Sequence, residues 1–148
     1  MVKIYLDGEE QTKEIGYKLG KLLTPGSVIC LIGDLGAGKT TMTQSLARAI
    51  GVDDYITSPT FTIVNEYNSP EINIYHFDVY RLNDIDEFYA IGVEEYFEKG
   101  ICIIEWGEII ENALPKDYIK ISFSRNQTEE NKRILNIETF GNKYDNLF

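Results

Sequence analysis

Nine consecutive residues, Gly33-Asp34-Leu35-Gly36-Ala37-Gly38-Lys39-Thr40-Thr41, combine small residues, one lysine and paired hydroxyls. Within them Gly33, Gly38, Lys39 and Thr40 satisfy G-x-x-x-x-G-K-[ST]. Glycines let a backbone curl until successive N–H groups converge on phosphate oxygens, and a helix starting there adds the positive end of its dipole. Lys39 supplies a point charge for β- and γ-phosphates, and the Thr40 hydroxyl is a ligand for Mg2+. The plain alternative is a chance glycine-rich turn. The flanks argue against it, because Ser27–Ile32 reads as a buried strand and Met42, Leu46 and Ile50 recur afterwards at helical spacing. The expectation is a loop binding ATP with Mg2+, with contacts spread from Gly33 to Thr41.

Such a loop works with a carboxylate at the end of a neighbouring strand. No apolar run here ends in Asp-Glu, but two end on a single acid. INIYHFD ends on Asp78, and ICIIEW carries Glu105 followed by Trp106, the only tryptophan. Ligands of open α/β sheets sit outside the C-terminal ends of the strands. Asp78 and Glu105 are therefore expected at the metal or at the attacking water, and the sequence leaves open which touches Mg2+ directly. The bland readings are a strand-end cap for Asp78 and a buried ion pair for Glu105. Trp106 divides between nucleotide or partner contact and packing at a strand end. His76, the only histidine, shares the Asp78 face of an alternating strand and reads as a hydrogen-bonded core residue rather than a catalyst. Arg81 is expected to pair with Asp84 or Asp86 in preference to phosphate. Thr60 and Thr62 divide between ligand contact and hydrogen bonds at a strand entry.

These groups need a frame. Lys3–Leu6 reads as a strand, and Ile15, Leu19, Leu22 and Leu23 place an amphipathic helix at Thr12–Leu23, ended by Pro25-Gly26. The helix after the loop runs from Lys39 to Ile50, with Gly51 as its stop. Phe61–Tyr67 and Ile72–Phe77 read as strands joined by Asn68-Ser69-Pro70. Asp84–Phe97 suggests one or two short helices interrupted near Gly92, and Ile101–Ile104 a strand buried on both faces. Ile119, Ile121 and Phe123 alternate with Lys120, Ser122 and Ser124, and with Arg133–Phe140 they make a terminal hairpin with one solvated face. Together these predict one domain over 1–148: an α/β, P-loop NTPase-like three-layer sandwich with a mixed parallel/antiparallel sheet and a C-terminal β-hairpin.

Composition narrows the partners. A net charge of −10 opposes direct nucleic-acid binding, which rests on Lys and Arg neutralising phosphates, and suits solubility or a basic patch on a protein. No apolar run approaches the ~20 residues of a membrane span. Nor does MVKIYLDGEEQ resemble a signal peptide. Cys30 and Cys102 lie in strand-like runs without metal-ligand spacing, which reads as buried thiols in a reducing, cytoplasmic setting.

GDLGAGKTT, TSPTFTIVNEY (57–67), YHFDVYRL (75–82) and IEW (104–106), in that order and spacing, resemble the TsaE family over most of residues 12–106. The resemblance implies a bacterial P-loop ATPase needed for making threonylcarbamoyladenosine in tRNAs that decode ANN codons. It further implies TsaB- and TsaD-like partners, with tRNA met only through that complex and no membrane. By the same resemblance Lys39 lies on the phosphates, Thr40 on Mg2+, Asp78 at the metal, and Glu105 and Trp106 are needed for function. Ser58-Pro59-Thr60 resembles a switch-like loop, and Thr12 is placed near the adenine, where the plain reading is a helix-start hydroxyl.

Other readings remain. Asn142-Lys143-Tyr144-Asp145 spells the N-K-x-D of guanine recognition, but three residues from the C-terminus it lacks the helix and further base-contacting loop such a site needs. A small-molecule kinase should carry a basic lid helix, whereas Asp84–Gly100 has only Lys99 as a basic residue. A nucleotide-dependent binding switch, in which ATP only orders a loop, is the non-enzymatic alternative. The preferred mechanism is in-line attack of water on the γ-phosphate, weak without a partner.

Overall fold

The structure, a computed structural model, describes residues 2–33, 38–53, 56, 64–79, 85–90, 92–105, 107–125 and 132–145. Its centre is set by two strands too apolar to face water. β2 (Val28–Ile32) and β5 (Ile101–Glu105) pair in parallel, and Val28 through Leu31 and Ile101 through Glu105 are all buried. Burying each such Leu or Ile stabilises the fold by roughly 1.5–3 kcal/mol. β4 (Asn73–Asp78) adds in parallel outside β5, and β6 (Tyr118–Arg125) in parallel outside β2. Antiparallel strands complete the edges: β3 (Val64–Asn68) beside β4, then β7 (Arg133–Phe140) beside β6 and β1 (Val2–Leu6) beside β7. The seven-stranded order is β1-β7-β6-β2-β5-β4-β3.

Helices cover both faces, so the three-layer, mixed-sheet expectation is met. Alternation along the strands sorts the core. Ile29, Leu31, Ile74, Ile101, Ile103, Ile119 and Ile121 pack with Leu19 of α1 (Glu9–Leu22) and with Met42 and Leu46 of α2 (Lys39–Ile50). Val28, Cys30, Tyr75, Phe77, Cys102 and Ile104 point the other way, toward Phe88 of α3 (Ile85–Ala90), Val93 of α4 (Val93–Lys99) and Ile110 of a 3-10 segment at Gly107–Ala113. The break foreseen near Gly92 separates α3 from α4.

Small residues let α1 and α2 cross closely. A Cβ on Gly20 would stand 2.6 Å from the Leu46 carbonyl oxygen and 2.7 Å from Ala49 Cβ. Gly51 ends α2 as expected, left-handed at φ 110° with its N–H donated to the Ala47 and Arg48 carbonyls. α1 begins earlier than its apolar periodicity suggests, at Glu9, with Glu9 and Glu10 at the positive end of the helix dipole. The Asp7 N–H donates to Gln11 Oε1 at 2.8 Å and closes that first turn. Neither β1 as the outer neighbour of the hairpin nor the 3-10 segment is visible in the sequence pattern.

Candidate functional site

Because β6, β2, β5 and β4 are parallel, their C-terminal ends lie along one edge of the sheet. β2 runs into Gly33, where a side chain has no room: a Cβ there would be 2.9 Å from the Phe123 carbonyl oxygen on β6. Asp34, Leu35, Gly36 and Ala37 lie outside the described residues. The chain resumes at Gly38, whose left-handed φ of 108° turns it into α2. Lys39 is the first helical residue and is only 5% exposed. Its Nζ reaches back and donates to the Gly33 carbonyl at the end of β2 at 2.7 Å. One residue on, the Thr40 side chain is exposed at the helix start. Thr41 is half-buried and its hydroxyl donates to Glu9 Oε1 at 3.3 Å, while Thr43 donates to the Lys39 carbonyl at 2.9 Å. Thr12 is buried, its methyl 3.7 Å from where a Cβ on Gly38 would stand. It lies within α1, three residues after Glu9, and not at the cap, which is Gly8.

Asp78 ends β4 and Glu105 ends β5, and the two are register partners, with Leu31 of β2 opposite Glu105 on its other side. The Val79 N–H donates to the Glu105 carbonyl at 3.2 Å and ties the two strand ends together. By alternation with Ile74 and Ile103, His76, Asp78 and Glu105 point to the sheet face that α1 and α2 cover. Asp78 is half-buried, whereas Glu105 is 3% exposed. Glu105 does not stand alone: its Oε2 is 2.6 Å from Nε2 of His76, itself fully buried. His76 is thus the hydrogen-bonded core residue its sequence context suggests. Its partner, 29 residues away, could not be read from local pattern.

The donor set suits Mg2+. That ion favours oxygen ligands and is commonly bound by one or two carboxylates together with substrate phosphates. Thr40 offers a hydroxyl and Asp78 and Glu105 offer carboxylates at neighbouring strand ends. Among the described residues no group of three or more His, Cys, Asp or Glu gathers as an all-protein cage. A groove of about 780 Å3 between α1 and α2 shares Thr40 and Thr41 with this edge. It is walled by mixed charges, Glu9, Glu10 and Glu14 with Lys13, Lys18 and Arg48, and contains no strand end.

Several other sequence candidates lie outside the described residues: Trp106, Ser58-Pro59-Thr60, Thr62, and Arg81 with its expected partner Asp84. The N-K-x-D tetrad is described, and it serves the opposite edge. Asp117, just before β6, accepts the Asn142 and Lys143 N–H groups at 2.9 and 3.3 Å, and the Tyr144 hydroxyl accepts the Val28 N–H at the start of β2. That tetrad closes the C-terminal hairpin far along the strands from Gly33. The cysteines are buried thiols, as expected, and burial pushes Cys102 up to about 12. Beyond Glu105, the 3-10 segment is fastened to β6 by Lys120, which donates to Glu111 at 2.6 Å; that bond raises the lysine above its ordinary pKa.

A family model described as "Threonylcarbamoyl adenosine biosynthesis protein TsaE" matches residues 6–134. The chain is 41% identical over 139 residues to the tRNA threonylcarbamoyladenosine biosynthesis protein TsaE of Bacillus subtilis, covering 93% of this chain and 85% of that one. To the protein of the same name from Nostoc sp. it is 44% identical over 126 residues, covering 82% and 76%. The crystal structure of Bacillus subtilis YdiB superposes with a TM-score of 0.78 at 37% identity, covering 97% of this chain and 88% of that one.

Proposed function

The chain belongs to the TsaE family and has that family's role in tRNA threonylcarbamoyladenosine biosynthesis; on that premise we propose that it is an ATP-hydrolysing accessory protein acting on a TsaB–TsaD-type complex in the cytoplasm. The observation that supports the reading is the gathering of Lys39 and two strand-end carboxylates at the C-terminal ends of the parallel strands of a mixed sheet. Those ends are where α/β sheets take their ligands.

In this reading the loop amides from Gly33 to Thr41 and the start of α2 cradle the triphosphate of ATP. Lys39 exchanges its bond to the Gly33 carbonyl for β- and γ-phosphate oxygens. Thr40 and Asp78 would hold Mg2+, which when bound neutralises charge spreading over the phosphate oxygens. Glu105 positions a water in line with the bond to be broken. The water's oxygen bonds to the γ-phosphorus as the bond from γ-phosphorus to the bridging oxygen breaks; that oxygen leaves with ADP, and the water's protons end on the phosphate product and solvent. Thr12 and Trp106 lie beside the nucleotide. Among the described residues Lys39 is the one positive side chain assigned to the transition state, so turnover by the isolated protein is slow and the partner complex raises it.

Trp106 provides the test, because no other tryptophan shares its fluorescence. The chain is titrated with Mg-ATP and with Mg-GTP, beside Lys39→Ala and with calorimetry in parallel. A saturable, ATP-preferring change lost in Lys39→Ala is the expected result. Equal affinity in wild type and variant overturns the phosphate-loop assignment. Tight binding with no hydrolysis, even when TsaB- and TsaD-like proteins are added, replaces the ATPase with a binding switch.

A further inference from the structure

Two polar side chains placed in an apolar core need a reason. His76 is fully buried on β4 and Glu105 is 3% exposed on β5. Around them on the same sheet face stand Ile74, Ile103, Ile29 and Leu31. The bond between them is diagonal, since the register partner of His76 is Ile103 and that of Glu105 is Asp78. One imidazole nitrogen is spent on it, Nε2 at 2.6 Å from Oε2. The other, Nδ1, is buried with no hydrogen-bond partner among the described residues.

That arrangement is a poor way to gain stability. A buried polar atom left unsatisfied costs stability, and apolar replacements of buried charged pairs are often neutral or stabilising. It does serve to fix a carboxylate. A glutamate at a strand end has three rotatable side-chain torsions, and a single short bond to a ring locked in the core removes that freedom. The chemistry also sets the proton. A carboxylate accepts, so a bond in which Glu105 is the acceptor requires a hydrogen on Nε2, and no described residue partners Nδ1.

We propose that His76 is a positioning residue for hydrolysis: its Nε2–H pins Oε2 of Glu105, so that Oε1 is presented in one orientation at the C-terminal edge of the sheet. His76 itself touches neither water nor nucleotide. This inference rests on the assignment of Glu105 to the attacking water. It makes the strand INIYHFD contribute twice to the site, through Asp78 at its end and through His76 two residues earlier on the same face.

The experiment uses the untagged chain, in which His76 is the only histidine, so an imidazole 15N–1H spectrum contains one ring. The expected spectrum shows a proton on Nε2 and a shift of the Nε2–H signal in Glu105→Gln. Two variants are then compared for ATP affinity by calorimetry and for single-turnover hydrolysis. His76→Leu fills the space without a donor and is expected to slow hydrolysis about 10- to 100-fold, the range seen when the outer partner of a reactive ligand is removed. Its ATP affinity should stay close to wild type, because the proposed phosphate contacts are untouched. His76→Gln places an amide N–H near the former Nε2 and is expected to recover most of the rate. An imidazole with no proton on Nε2, or a folded His76→Leu that hydrolyses like wild type, overturns the positioning role alone. Wild-type protein with the expected spectrum but no hydrolysis, alone or with its partner proteins, overturns the proposed function and this inference with it.

Discussion

Replacing Glu105 separates what the carboxylate does for the fold from the part proposed for it in hydrolysis. Glu105→Gln keeps an oxygen where Oε2 meets His76, so the buried Nε2–H retains an acceptor. The bond falls from the charged class, about 1.5–3 kcal/mol, to the neutral class, about 0.5–1.5 kcal/mol. Removing a buried charge returns part of that loss. The net effect on stability is expected within about 1 kcal/mol. Glu105→Ala instead strands the His76 N–H in a core position that is 0% exposed. That costs about 1–3 kcal/mol for the unsatisfied donor, and the emptied volume adds to it. In a chain of this length about 3 kcal/mol lowers Tm by roughly 6–12 °C. Hydrolysis is expected to fall in both variants alike, by about 10²–10⁴ for loss of a group acting on the nucleophile, with calorimetric ATP affinity retained. Urea unfolding and single-turnover hydrolysis are the two assays. Wild-type turnover in Glu105→Gln would remove the carboxylate from the mechanism. Equal destabilisation by Gln and Ala would show that the buried bond to His76 does not carry the energy assigned to it.

Three further outcomes follow from the fold. Gly20→Ala gains about 1 kcal/mol of helix propensity, but its Cβ meets the Leu46 carbonyl at 2.6 Å and Ala49 Cβ at 2.7 Å. Overpacking of about 1–3 kcal/mol wins, so the urea midpoint falls; an unchanged or raised midpoint contradicts the close crossing of α1 and α2. Asp145→Ala is expected to leave the ATP-to-GTP affinity ratio unchanged, because its loop caps the other edge of the sheet; a shift toward either nucleotide contradicts that placement. Cys102 stays protonated in the native state up to about 12, while in the unfolded chain it ionises near its ordinary value of 9.0. Native Cys102 then binds the extra proton between those values, so its contribution is intact below 9.0 and is lost as pH rises toward 12. Urea midpoints should therefore drop less steeply from pH 8 to pH 10.5 in Cys102→Ala than in wild type, and equal slopes contradict the buried thiol.

Local pattern carried much of the fold. Continuous apolar runs marked β2 and β5 because both faces are covered, and the break at Gly92 was legible because a left-handed glycine cannot continue a helix. Boundaries moved where polar residues decide them. α1 starts at Glu9, ahead of its first apolar contact, because acids at a helix start are favoured by the dipole and not by the core. The 3-10 segment at Gly107–Ala113 carries no periodic signal and is held from outside, by Ile110 in the core and by Glu111 on Lys120.

The candidate site divides along the same line. Gly38, Lys39 and Thr40 could be read together because their chemistry is local: one turn of backbone and one helix start contain it. Asp78 and Glu105 could be named from strand ends, but their adjacency depends on a parallel register, Phe77 with Ile104 and Asp78 with Glu105. Parallel register has no turn to fix it; both faces of β5 must be filled by side chains contributed from elsewhere in the chain. A one-residue slip of β4 would move His76 and Asp78 to the face of Tyr75 and Phe77, away from α2 and the loop. The helices packed on either face therefore do more than cover the sheet. By making Ile74 and Phe77 fit only on opposite sides, they set which carboxylate and which imidazole meet at the strand ends. A substitution such as Phe77→Ala should accordingly cost activity as well as the roughly 3–5 kcal/mol of a large core truncation. The sign of that coupling is checkable: hydrolysis must fall at temperatures where the variant is still folded, and a folded variant with undiminished turnover would show the register to be held by the backbone ladder alone.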